Sequence, residues 1–148
     1  MNRLDTEIAI PAPRERVWSV LTDFAAYPQW SPTIRSIDGD LTVGARLNVR
    51  IVGPGGRAVP AHPTVVALEP GHLLRWDAVL FHPRLLSGLH EFRLVDDESG
   101  GTRVIQSDTY TGLLATPLRR LLTANEPLMR QQNMTLRERV AATVRTAD

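Results

Sequence analysis

Two short segments carry the side chains able to do acid–base chemistry in this chain. In one, His90 shares a strand face with Phe92 and Leu94, while Glu91 and Arg93 point the other way. In the other, Gln106, Asp108 and Tyr110 alternate with Ile105, Ser107 and Thr109. A histidine titrates near neutral pH, and a carboxylate or phenol beside it in a dry, apolar setting forms a proton-handling pair. His90 and Asp108 are therefore the candidate catalytic residues if the protein is an enzyme. The same residues also have a plain structural reading, as a hydrogen-bonded core histidine, a buried ion pair and a packing tyrosine.

A second polar set lies near the C-terminus. Leu118, Leu122, Met129, Leu136 and Val140 recur at helical spacing between Pro117 and Thr146, and most of the arginines there fall outside that stripe. Asn125, Gln132 and Asn133 interrupt the stripe on its own arc. An amide buried without a partner costs about 1–3 kcal/mol, so each needs backbone, water or a bound molecule to bond with.

These groups must be positioned by the elements around them. Leu4 to Ile10 alternates as a first strand, with Leu4, Thr6, Ile8 and Ile10 on one face. Pro11-Ala12-Pro13 then opens a helix through Thr22 that buries Val17, Val20, Leu21 and Trp18. Asp23 is placed to cap a short turn, Phe24 to Tyr27, that Pro28 stops. Six further strands follow: one after Ile34, then Arg46 to Val52, Thr64 to Leu68, Leu73 to Phe81, Leu89 to Val95 and Thr102 to Thr111, separated by turn clusters. Short connections make them antiparallel. Pro127 leaves the terminal helix two forms. It is either bent but continuous, or broken into a short helix from Pro117 to Ala124 and a second that Asn125 caps. The leucine phase, which persists across the proline, favours the bent form.

Composition narrows the function classes. At 148 residues and 43 % apolar, the chain reads as one domain, 1–148, with a real core. All 17 basic residues are arginine, but the net charge is only +1, which gives no field for nucleic acid. Met1 to Ile10 carries Asp5 and Glu7 instead of the apolar run of a secretory segment, and nothing approaches membrane-spanning length. The absence of cysteine excludes disulfides and thiolate metal sites and fits a cytoplasmic protein. The four histidines have no ligand spacing on one face, and Gly53-Pro54-Gly55-Gly56 lies between strands instead of opening a helix. No metal and no cofactor are expected.

With these elements in place the chain shows a family likeness. Ile10 through Asp23 followed by Tyr27-Pro28-Gln29-Trp30-Ser31-Pro32 resembles the opening signature of the START-like, or SRPBCC, superfamily in its polyketide cyclase/dehydrase and lipid-transport branch. Pro63 to Gly71, Leu74-Arg75-Trp76, His90 to Leu94, Gly101 to Val104 and Tyr110 to Leu114 are similar to its later blocks. The resemblance implies an α+β helix-grip fold: a strongly curved antiparallel sheet of about seven strands wrapped around a long C-terminal helix, with an internal apolar cavity. It also implies that Trp30, Trp76, His90, Phe92, Asp108, Tyr110 and Asn133 approach that cavity. The strand alternation adds Gln106, and the helical arc adds Leu122, Asn125, Met129 and Gln132.

Three functions are compatible with such a fold. The first is carriage or sensing of a small hydrophobic or amphipathic molecule of lipid, polyketide or aromatic type. The second is a cofactor-free cyclase, aromatase or dehydratase using His90 or Asp108. The third is a protein-interaction module with a filled cavity. The first is preferred, with a small apolar ligand as partner, no nucleic acid, and a monomer or dimer as assembly.

Overall fold

The computed structural model describes residues 2–52 and 56–147, with side chains to residue 143. The loop glycines and proline at 53–55 lie outside the described residues. Eight strands are present among the described residues: β1 (Asn2–Ile10), β2 (Ile34–Asp38), β3 (Asn48–Val52), β4 (Ala58–Ala61), β5 (Thr64–Glu69), β6 (Leu73–Leu80), β7 (Leu86–Asp96) and β8 (Thr102–Thr111). The helices are α1 (Arg14–Leu21), a 3-10 turn over Phe24–Gln29, α2 (Arg119–Thr123) and α3 (Glu126–Ala147).

Every strand pair is antiparallel. One sheet runs β1-β8-β7-β6-β5 and the other β2-β3-β4. The two are stitched where the chain before β3 meets β5, with Leu47 N donating to the Pro63 carbonyl at 2.8 Å and Val65 N to that of Ala45 at 2.9 Å. This is the expected helix-grip fold, α+β with a C-terminal helix laid over the sheet. The core gathers where α1, α3 and the inner face of the larger sheet meet, around Ile10, Val17, Leu21, Phe92, Val104 and Leu136.

Four local readings change. Pro127 breaks the terminal helix: α2 ends at Thr123 and α3 begins at Glu126, so the proline sits in the first turn of α3, where no backbone donor is missed. Leucine phase alone did not weigh that cost. Pro28 lies inside the 3-10 turn, which continues to Gln29, and Asp23 makes no side-chain cap. Trp18 is half-buried, not buried. β4 is additional, since Pro60 hid it in the sequence, and as an edge strand it tolerates a proline.

Tyr27 fastens the end of α1. Its ring is wholly buried and its hydroxyl donates to the Leu21 carbonyl at 2.5 Å, satisfying a helix-end acceptor. Burial, with a smaller push from the Asp23 charge, drives its ionisation far above the usual tyrosine value. Burial likewise raises Tyr110, helped by Asp108. The unfolded chain ionises near pH 10 and the native one does not, so the stability is fully present below about pH 10 and is lost as pH climbs above it. Each of these two tyrosines contributes a slope of about 1.4 kcal/mol per pH unit there. Urea melts from about pH 9 to about pH 12 should show this loss. Tyr27→Phe should halve the slope while lowering stability at pH 7 by about 1 kcal/mol.

Candidate functional site

The inner face of the larger sheet is ordered in rows by its register. Trp76, His90, Asp108 and Leu4 stand opposite one another across four strands, and Leu74, Phe92, Gln106 and Thr6 form the next row. Register therefore settles that Gln106, Asp108 and Tyr110 share the His90 face. The opposite face is a polar one, where Glu91 pairs with Arg75, and Ser107 donates to Asp5 at 2.5 Å.

His90 is held from all sides. Its ring stacks on Trp76 (centroids 5.5 Å, 21° between planes) and meets Phe92 edge-on at 4.7 Å. Its Nδ1 forms a short hydrogen bond with Asp108 Oδ1. Because a carboxylate only accepts, Nδ1 carries the proton; in the neutral ring Nε2 is then the acceptor, and it faces the Gln106 amide nitrogen at 3.4 Å. The Tyr110 hydroxyl donates to the other Asp108 oxygen at 3.3 Å. Its ring lies over Gly88, where a Cβ would stand 3.3 Å from the ring edge, so this glycine makes room for the tyrosine. The side chains of His90 and Asp108 keep 18 % and 11 % exposure, so the pair is mostly but not wholly enclosed.

A second line of polar groups runs from the sheet to α3. Asn133 Nδ2 donates to Thr6 Oγ1 at 2.9 Å, and Thr6 Oγ1 donates to the Gln106 carbonyl at 3.4 Å. Both amides are almost fully buried, at 1 % for Gln106 and 2 % for Asn133, and each leaves its side-chain oxygen without a protein partner. Gln132, the next residue, is engaged differently: its amide oxygen accepts from Ser31 Oγ at 2.7 Å and from Thr33, tying α3 to the loop after the 3-10 turn.

Other expected site residues scatter. Met129 is buried, whereas Leu122 and Asn125 are half-buried. Trp30 packs on Tyr27 at 4.7 Å with its indole nitrogen buried and unpaired. Two surface grooves of about 270 and 300 Å³ follow α3, one against Ile10 to Ala12, the other between Trp30 and Arg139. Neither borders His90. Among the described residues no three histidine, aspartate or glutamate side chains gather as a metal site, and no helix is long and apolar enough to cross a membrane. Sequence reasoning missed the coupling role of Thr6, whose only signal was a hydroxyl on an otherwise apolar strand face. It also missed Ser31 and Thr33, which gave no signal.

The comparisons with known proteins agree with the fold. A family model described as polyketide cyclase / dehydrase and lipid transport matches residues 1–141. Among solved structures, the Zhui aromatase/cyclase from Streptomyces sp. R1128 superposes with a TM-score of 0.80 at 15 % identity, covering 99 % of this chain and 97 % of that one. A Mesorhizobium loti protein gives 0.76 at 22 % identity, with 96 % and 98 % covered. A Rhodobacter sphaeroides protein gives 0.76 at 23 %, with 95 % and 93 % covered. At these identities the likeness establishes the fold. No curated protein matches the sequence significantly.

Proposed function

The chain belongs to the polyketide cyclase / dehydrase and lipid transport family, and on that footing we propose that it binds a small, largely apolar molecule between the sheet and α3, as a carrier or sensor in the cytoplasm. The observation that carries this reading is the pair of buried amide oxygens, on Gln106 and Asn133, left without a protein donor. Native interiors seldom leave such acceptors unpaired, and a guest bearing a hydroxyl or another donor satisfies them. The aromatic wall of Trp76, His90 and Phe92 supplies apolar contact beside them. The ligand is thus amphipathic, with a donor at one end and an apolar body.

The test is a competition series against a fluorescent apolar probe, using phenols and their methyl ethers. The phenols should bind tighter by about tenfold, and Gln106→Leu should erase that preference while leaving the ethers unaffected. Equal binding of phenol and ether to the native protein defeats the donor assignment. Failure of every apolar probe and every co-purified compound defeats the carrier reading.

A second reading rests on a separate observation, the contact of His90, Asp108 and Tyr110. With Nδ1 fixed by Asp108, His90 Nε2 is the atom able to take a proton from a bound polyketone, and the Tyr110 hydroxyl, bonded to the same Asp108, is a further donor. A cofactor-free cyclase, aromatase or dehydratase needs that function, with the apolar wall holding the flexible chain in a reactive shape.

A further inference from the structure

One pole of the molecule differs from the rest in both charge and apolar exposure. The turn between β6 and β7 and the segment after β8 are bound together there: Leu113 N donates to the Arg84 carbonyl and Leu114 N to that of Leu85, both at 2.9 Å. Gly112 permits the approach, since at its φ of 111° a Cβ would lie 2.5 Å from the Leu85 oxygen. Among the described residues, every exposed leucine and phenylalanine falls in residues 80–85 or 111–125, the two segments that meet here: Leu80, Phe81, Leu85, Leu113 and Leu121, with Phe81 87 % and Leu113 75 % exposed. Elsewhere the exposed large apolar residues are valines and one methionine. Phe81 has a φ of 70°, a conformation a bulky side chain rarely takes, and α2 buries none of its residues.

The charge is segregated in the same way. Arg84, Arg119 and Arg120 stand in residues 80–85 and 111–125, which hold no acid, whereas the whole chain has a net charge of only +1, so the remainder is net negative. None of the three forms an ion pair among the described residues. Asp96, Asp97 and Glu98 lie at the opposite end of the β7–β8 pair. Apolar tips flanked by unpaired guanidinium groups match a boundary where anionic headgroups overlie an apolar layer.

We propose that this pole docks on the anionic surface of a lipid bilayer, with Phe81 and Leu113 entering the interface and Arg84, Arg119 and Arg120 meeting the headgroup phosphates. The same pole lies next to the Gly88–Tyr110 row, one row beyond His90 and Asp108. Docking does not depend on which ligand the interior takes, and it is measured without one.

The experiment is co-sedimentation of the full chain with vesicles of phosphatidylcholine alone and of phosphatidylcholine mixed with phosphatidylserine. Binding should favour the mixed vesicles and weaken with added salt. Arg84→Gln, Arg119→Gln and Arg120→Gln together should lower partitioning about a hundredfold, at about fivefold per arginine. Phe81→Ser with Leu113→Ser should reduce it on both vesicle types. These side chains are exposed, so the variants fold, which circular dichroism checks. Equal partitioning onto both vesicle types overturns the proposal, as does undiminished binding of the triple arginine variant. Dimerisation abolished by Phe81→Ser, without vesicle binding, reassigns the pole to a second copy of the chain and overturns it equally.

Discussion

Replacing Phe92 with alanine lowers the stability of this protein by about 3–5 kcal/mol, the range for truncating a fully enclosed phenylalanine. Phe92 is 1 % exposed and lies edge-on to both His90 and Trp76, with centroids 4.7 and 6.1 Å away. Its row neighbours are Leu74 and Gln106. The aromatic pairs contribute about 0.5–1.5 kcal/mol each, so most of the loss comes from transfer and from the void left behind. For a chain of this length the melting temperature should drop by about 10–15 °C in a calorimetric scan. The void opens next to Gln106, the cross-strand partner of Phe92, so it creates space for a small guest there. A small aromatic alcohol at about a hundred times its dissociation constant should return about 2.7 kcal/mol. A drop of only a few degrees, with no rescue by the alcohol, shows that Phe92 is not part of the wall of a binding space.

Such a wall was largely legible in the sequence, because strand alternation is a strong signal wherever one face is buried. His90 and Phe92 share a face by simple period, and the structure keeps them there. For Gln106, Asp108 and Tyr110 the period left the face open. The deciding fact is pairing, with Asp108 opposite His90 and Gln106 opposite Phe92, and pairing is not a local property of either strand. The helix shows the limit more sharply. Gln132 and Asn133 lie on one apolar arc and are chemically alike, yet the first is spent on Ser31 and Thr33 and the second reaches Thr6. Successive helical residues diverge by about 100°, enough to send two amides to different partners. Which partner waits on each side depends on the loop after Trp30 and on β1, more than 90 residues away in the chain. Pro127 failed for a different reason. The leucine period runs through both α2 and α3, and it hid the break because a two-residue interruption hardly disturbs the phase.

The second large effect separates structure from chemistry at His90 and Asp108. His90→Phe leaves a carboxylate whose side chain is 11 % exposed with only the Tyr110 hydroxyl among its side-chain partners, and stability should fall by about 3 kcal/mol. Asp108→Leu takes the acceptor away from both the His90 Nδ1–H and the Tyr110 hydroxyl, with a loss of about 2–4 kcal/mol. The double variant leaves no buried charge and a more apolar wall against Trp76, so it should return to within about 1 kcal/mol of the native protein or exceed it. Urea unfolding of the four proteins gives a coupling energy of at least about 2 kcal/mol, far above the additivity error for independent sites. Losses that simply add make the pair a structural fastening whose parts act separately. A stable double variant makes the pair dispensable for folding. On the cyclase reading proposed above, the same double variant should lose about 10²–10⁴-fold in turnover of a polyketone while still binding the apolar probe, because the proton-accepting atom has gone and the wall remains.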